Sequence, residues 1–406
     1  MKEKLWTRNF ILLVVASLGS AFLMSLFLNT LPLYAEQMTG TAVYAGLVTT
    51  CYSLASLATR PVVGMLCEKT SAQMLIIIGL TLMTVSCCAY LFVSAIAGLI
   101  FIRILHGIGF GIKSTASGVL AAEIIPKSRF AEGIGMFGLY LPVANAIGPA
   151  LGLWVAEDGS FKVLFIVAGI IGVLSLGLML LIRIPNTEKA LKEKSASENT
   201  DELENIRKPP KSFFGFEFGV LYPSITLMLV YLGYSAIVSF IALYAISVGI
   251  KGIGLFFTIG AVALFATRLL FAKLVDRYGY HIFVLASTGL FAMVLVMIPH
   301  LHNIIALYIA AVFYGAALGI VPMAVNAQVL ERCSKKRRGS AMAAYTSSID
   351  LGIGIGSFLI GAVVDVAGFT SAFTLAGIIC ATGAVFYALT VARDHRKYVE
   401  RMQFFS

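Results

Sequence analysis

Long apolar runs separated by short polar breaks recur along all 406 residues. Each run is close to or above the roughly 20 residues of helix that cross a hydrocarbon core about 30 Å thick. The pattern predicts helices over 9–35, 42–67, 72–94, 96–125, 130–155 and 161–184, and again over 218–248, 252–274, 280–299, 302–330, 339–364 and 369–392. Between the two sets, residues 183–211 are rich in Lys, Glu, Ser and Asn and include Pro209-Pro210, the composition of a flexible linker. The predicted architecture is an all-α membrane protein. It comprises six-helix bundles over 1–182 and 217–392, a cytoplasmic linker over 183–216 and a cytoplasmic tail over 393–406.

Composition supports lipid as the main solvent, because 59% of the residues are hydrophobic and only 12% charged, against about 25% charged in soluble domains. The net charge of +10 would suit a nucleic-acid partner, but its distribution points elsewhere. Of 30 Lys and Arg residues, 26 fall in the termini, the linker and alternate loops; only Lys162 and Lys251 occupy the opposite loops, and Arg103 and Lys113 lie within a helix. Such a bias orients a chain in a membrane with its basic loops inside. The expectation is a multi-pass protein of the plasma or inner membrane with both termini cytoplasmic and no nucleic-acid partner. The first run is too long for a signal peptide and continues into Pro32 and Glu36 without a small-residue cleavage site, so it is expected to remain as the first helix. Cys51, Cys67, Cys87, Cys88, Cys333 and Cys380 lie within helices or at their cytoplasmic ends, which predicts packing roles and not a disulfide framework.

The two sets of helices repeat each other. Ala58-Thr59-Arg60 recurs as Ala266-Thr267-Arg268, an offset of 208. The same gapless offset takes Glu68-Lys69 to Asp276-Arg277, Gly107 to Gly315, Gly111 to Gly319, Glu123 to Glu331, Gly148 to Gly356, Phe161 to Phe369, and Ala168-Gly169-Ile170-Ile171 to Ala376-Gly377-Ile378-Ile379. Six helices separate the copies. An even number gives both halves the same orientation, a parallel repeat about an axis along the membrane normal.

Parallel six-helix halves with a long cytoplasmic linker resemble the major facilitator superfamily, and local motifs agree. Residues 64–73 are similar to that family's signature between its second and third helices, with Glu68-Lys69 where an Asp-Arg pair is usual. The counterpart, Arg268 with Asp276-Arg277-Tyr278-Gly279, is closer to the pattern. Arg103-Ile104-Leu105-His106-Gly107 resembles the fourth-helix motif centred on an arginine. The segment around Asn145, Gly148, Pro149 and Gly152 resembles the fifth-helix motif of the drug and metabolite proton antiporters. The resemblance implies a twelve-helix secondary transporter that works by alternating access and exports its substrate.

Ionisable residues within spans are costly and therefore functional candidates. On the fourth helix, at 100° per residue, His106 and Lys113 fall −60° and −80° from Arg103, one cationic stripe expected to face an aqueous cavity. Asp350, halfway along the eleventh helix, is expected to bind a proton or to balance a buried cation. The 208-residue offset pairs Arg103 with Ala311, Lys113 with Val321 and Asp350 with Pro142, so the central charges have no twin. Arg103, His106, Lys113, Asn29, Asn145, Tyr231, Tyr234 and Asn326 are the expected substrate-cavity residues, with Asp350 and, second to it, Glu36 for proton coupling. Arg60, Glu68, Arg268, Asp276 and Arg277 at the cytoplasmic ends are expected to form gating ion pairs, and Gly148-Pro149 a bend or hinge. Arg103 has an alternative role as polar glue between helices.

No enzyme, cofactor or metal chemistry is predicted. Gly109 to Lys113 would need a glycine at Ile112 to form a phosphate loop, and it lies in a hydrophobic span. The expected function is proton-coupled efflux of a small organic molecule by a monomeric transporter whose partners are its substrate, protons and the bilayer. Charges on the fourth helix lean toward an anionic or zwitterionic substrate. Alternatives are proton-coupled uptake on the same fold, lipid flipping, and a non-transporting receptor or assembly role; the last needs no intramembrane charge.

Overall fold

A computed structural model describes residues 4–157, 161–182, 212–213, 216–333 and 338–392. Most of the predicted linker and the whole tail lie outside the described residues. The helices are α1 (Arg8–Thr39), α2 (Ala42–Lys69), α3 (Ala72–Ala89), α4 (Ile96–Ile124), α5 (Phe130–Phe137), α6 (Tyr140–Glu157) and α7 (Phe161–Leu180). There follow α8 (Phe218–Ser247), α9 (Gly254–Tyr278), α10 (Tyr280–Met297), α11 (Ile304–Arg332) and α12 (Arg338–Tyr387). A two-residue antiparallel pairing of Ser212–Phe213 with Phe216–Glu217 precedes α8.

Among the described residues, eleven spans are long and apolar enough to cross a membrane. Two of them depart from one unbroken helix per crossing. The fifth span is broken at residues 138–139 into α5 and α6, while Pro149 sits inside a continuous α6. α12 runs for 50 residues, but Gly368 within it has φ 77° and ψ 174°. Fifty helical residues would extend about 75 Å, more than twice a hydrocarbon core, so the arms on either side of Gly368 are consistent with two crossings and twelve in all. Gly368 has the backbone of the other left-handed glycines, Gly40, Gly249, Gly252 and Gly279, which lie at or between helix ends. Large apolar side chains are left outside the packed protein, Phe92, Leu269 and Val366 being 85%, 80% and 89% exposed; lipid solvates such groups as well as protein does.

The chain forms two compact units. One comprises Met1–Leu26, Leu54–Gly148 and Ser160–Pro210, the other Phe27–Ser53, Pro149–Gly159 and Lys211–Ser406. In the first, α3 packs extensively on α4 and α7, around a core that includes Phe10, Leu13, Leu75, Leu80, Leu120 and Met179. In the second, α12 packs on α8 and α10, and α11 on α9. None of the six cysteines is joined in a disulfide among the described residues.

The sequence repeat is also a repeat of contacts. A Cβ at Gly111 would lie 2.7 Å from the Ser56 carbonyl oxygen and 3.1 Å from Thr59 Cβ; one at Gly319 would lie 2.8 Å from the Leu264 carbonyl oxygen and 3.2 Å from Thr267 Cβ. Each of these four neighbours is related to its counterpart by the 208-residue offset. Thr59 and Thr267 each donate to the carbonyl four residues back at 2.7 Å, which removes the hydroxyl from the crossing. Each half therefore brings two helices to backbone contact at the same glycine, as small residues allow in lipid. Gly111→Leu and Gly319→Leu should each destabilise by about 1–3 kcal/mol, the usual cost of overpacking. Gly118→Leu, at an exposed position with no atom within 4 Å of a new Cβ, should leave the melting temperature of the detergent-purified protein unchanged.

Candidate functional site

Within the first unit the predicted cations are enclosed by protein. Arg103, His106 and Lys113 are all 0–1% exposed. Their shared face of α4 meets α3 and the turn that follows it. His106 Nδ1 lies 3.3 Å from the Tyr90 hydroxyl, and the Tyr90 ring packs on Phe165 of α7 with centroids 5.5 Å apart. One level along, α3 crosses at Gly79, where a Cβ would lie 2.7 Å from the Lys113 backbone nitrogen. The Lys113 stem is thus fixed against α3, while its Nζ reaches a point 4.6 Å from the centroid of the Tyr140 ring on α6. Among the described residues no carboxylate lies within ion-pair distance of Lys113. Beside it, Arg60 of α2 donates from Nη1 to Ser114 Oγ at 3.4 Å. Asn145 on α6 accepts from Ser25 Oγ of α1 at 2.6 Å, and Gly148 lets the same helices approach, since a Cβ there would be 2.5 Å from Ser25 Cβ.

The second unit holds the remaining predicted residues except Glu68, which belongs to the first. Tyr231 and Tyr234 of α8 meet edge to face at 5.6 Å. Tyr234 stacks on Tyr314 of α11 at 6.5 Å, and Tyr314 on Phe256 of α9 at 5.0 Å. This aromatic row joins three helices. Asp350 is half-buried on the first arm of α12, two residues before Gly352, whose missing side chain admits Tyr231 Cβ to 2.9 Å of the Cβ position. The acid therefore sits at the level of the aromatic row. Tyr345, one turn earlier on the same arm, donates to the Pro322 carbonyl of α11 at 3.1 Å, and Asn326 is half-buried one turn further along α11. Arg268 Nε donates to the Gly319 carbonyl at 3.4 Å, the repeat counterpart of Arg60 bonding back to α4. Asn29 of α1 is buried, with neither amide atom hydrogen-bonded among the described residues. Glu36 is half-buried near the end of α1. The side chains of Glu68, Asp276 and Arg277 lie outside the described residues.

A further feature of the second unit carries no local sequence signal. The start of α2 lies along the first arm of α12 in a seam of small residues. Thr50 Oγ1 donates to the Gly354 carbonyl at 2.6 Å. Ser239 of α8 donates to Thr49 Oγ1 at 3.2 Å and pairs with Ser357 Oγ at 2.9 Å. A Cβ at Gly46 would collide with the Ser357 carbonyl oxygen, and one at Gly361 would lie 2.7 Å from the Ala42 carbonyl oxygen. At the end of the seam Asp365 accepts from the backbone nitrogens of Ala42 and Val43 at 2.7 and 2.9 Å. Gly254, 208 residues after Gly46, comes similarly close to Ala150 of α6, a Cβ there lying 2.9 Å from its carbonyl oxygen.

The family model described as Major Facilitator Superfamily matches residues 13–252 and 224–402. The staphylopine export protein of Staphylococcus aureus is 23% identical over 363 residues, 86% of this chain and 87% of that protein. The multi-drug resistance efflux pump PmrA of Streptococcus pneumoniae is 27% identical over 164 residues, 40% of each chain. Among solved structures, the nucleoside transporter NupG superimposes with a TM-score of 0.73 at 12% identity, covering 94% of this chain and all of that one. At such identity the likeness shows the fold.

A buried ammonium held only over an aromatic face gains about 0.5–2 kcal/mol from it, less than desolvation takes away. Lys113→Met, of similar volume, should therefore melt no lower than the wild type in detergent. A fall of several degrees would show instead that Lys113 is a structural strut.

Proposed function

This chain belongs to the major facilitator superfamily of transporters, and on that premise we propose that it exports a small organic anion or zwitterion in exchange for protons, by alternating access. The observation that carries the coupling is Asp350, a carboxylate midway along a membrane helix and at the level of the aromatic row. A carboxylate at that depth is costly unless protonated or paired. An acid at that depth can take a proton in one state and release it in the other, which is what an exchanger requires.

Export is supported by relatedness along 86% of the chain to a protein named for export. The substrate class follows from Lys113, whose ammonium lacks a carboxylate among the described residues and lies beside Arg60 and the Tyr140 ring. A substrate carboxylate would supply the missing counter-charge. The basic bias of 26 Lys and Arg residues out of 30 supports cytoplasmic termini, and in that orientation the α1–α2 turn and the seam beside it face outward. Arg60, Glu68, Arg268, Asp276 and Arg277 then sit at the inner ends. Ion pairs worth about 0–1 kcal/mol each there are enough to bias an equilibrium of a few kcal/mol, while Gly148-Pro149 lets α6 adjust at the opposite end.

In everted vesicles holding a preformed pH gradient, adding a transported compound should dissipate the gradient. Asp350→Asn should abolish that proton flux, and an Asp350→Asn protein that still exchanges protons normally would overturn the coupling. Across a panel of anionic, zwitterionic and cationic compounds, the first two classes should be preferred. Lys113→Ala should weaken their apparent affinity about tenfold, the equivalent of 1.4 kcal/mol. Preference for lipophilic cations, with Lys113→Ala transport unchanged, would contradict the substrate class.

A further inference from the structure

The first backbone N–H groups of any helix lack partners within it, and the usual remedy is a side chain just before the helix. In α2 the local residue does not serve: the Thr41 hydroxyl pairs with that of Thr39 at 3.4 Å. The acceptor comes instead from 323 and 322 positions away, where the two oxygens of Asp365 divide the Ala42 and Val43 donors between them. A carboxylate at a helix N-terminus gains both from charge-assisted hydrogen bonds and from the helix dipole. This bond pair ends a regular series. Positions 354, 357, 361 and 365 of α12, three or four residues apart and hence on one face, meet positions 50, 46, 42 and again 42 of α2 in turn, with Ser239 of α8 bridging Ser357 to Thr49. The other contacts of the series are glycines, hydroxyls and backbone carbonyls. Such a surface parts without stranding large apolar side chains, so the seam is held shut most firmly at Asp365.

We propose that Asp365 is the latch of the outward end: it holds the start of α2 against α12 in the closed state and exchanges α2's N-terminus for water when that end opens. This rests on the alternating-access reading above, and it adds a residue with a role separate from Asp350, which carries the proton. Loss of the latch favours the outward-open state and leaves the coupling site intact.

The test is a distance measurement. Spin labels are placed at the exposed positions Gln37 and Val366, in a protein whose Cys51, Cys88 and Cys333 are replaced, and the separation is read by pulsed electron paramagnetic resonance in nanodiscs. Wild type should show a dominant short distance. Asp365→Ala should raise the ratio of long to short distances about tenfold, as loss of a strong cap implies. Asp365→Asn, which keeps one acceptor without the charge and serves if the alanine variant does not fold, should give a smaller rise. An unchanged ratio in the variants, with wild type populating both distances, overturns the latch and leaves alternating access standing. A single fixed distance in wild type and variants alike overturns both.

Discussion

The hydrocarbon interior of a bilayer offers no water to a polar group, so every backbone N–H and C=O must be paired within the protein. That constraint fixes the architecture of this chain. It leaves helices as the spanning elements and confines irregular backbone to places where a partner or solvent exists. The left-handed glycines obey it: Gly40, Gly249, Gly252 and Gly279 flank helices, and Gly368 divides the long α12. The capping of α2 by Asp365 is the same constraint met across the fold, since donors at a helix start are satisfied by whatever acceptor is held there.

A second consequence concerns cohesion. Lipid tails are as apolar as leucine, so helices in a membrane are held by close packing and polar bonds and not by expulsion of water. Here that packing rests on glycines placed at repeat-related crossings, Gly111 with Gly319 and Gly46 with Gly254. Interfaces of this kind are tight yet free of deep interdigitation, and polar bonds such as Thr50 to Gly354 can be exchanged for water at modest net cost. A protein that must switch between two arrangements benefits from interfaces that are well defined and cheap to part.

The helices were legible because apolar run length is set by bilayer thickness, and the repeat because one offset persists through five helices. The same offset relates the paired contacts at Gly111 and Gly319. The break between α5 and α6 was not legible, since residues 138–139 are Gly-Leu within an unbroken apolar run. Periodicity placed Arg103, His106 and Lys113 on one face of α4, but it cannot say what that face meets; the structure puts Tyr90 and Gly79 there. The seam escaped sequence reading because a pairing between residues some 300 positions apart leaves no local trace. Asp365 stands one residue beyond the predicted end of its helix, where no local pattern marks it. Asp350 and Lys113 stood out from the start, because a charge inside an apolar run is conspicuous whatever surrounds it.

The central claim is that proton movement inward drives substrate outward, and purified protein in liposomes tests it most directly. Liposomes holding the protein with its termini in the lumen are equilibrated with the labelled anionic or zwitterionic compound that a susceptibility screen selects, at equal concentration on both sides. An acid-outside gradient is then imposed. The account predicts that the compound leaves the lumen against its own concentration gradient and that an uncoupler stops it. Inward accumulation under the same gradient, or flux indifferent to it, would contradict the account.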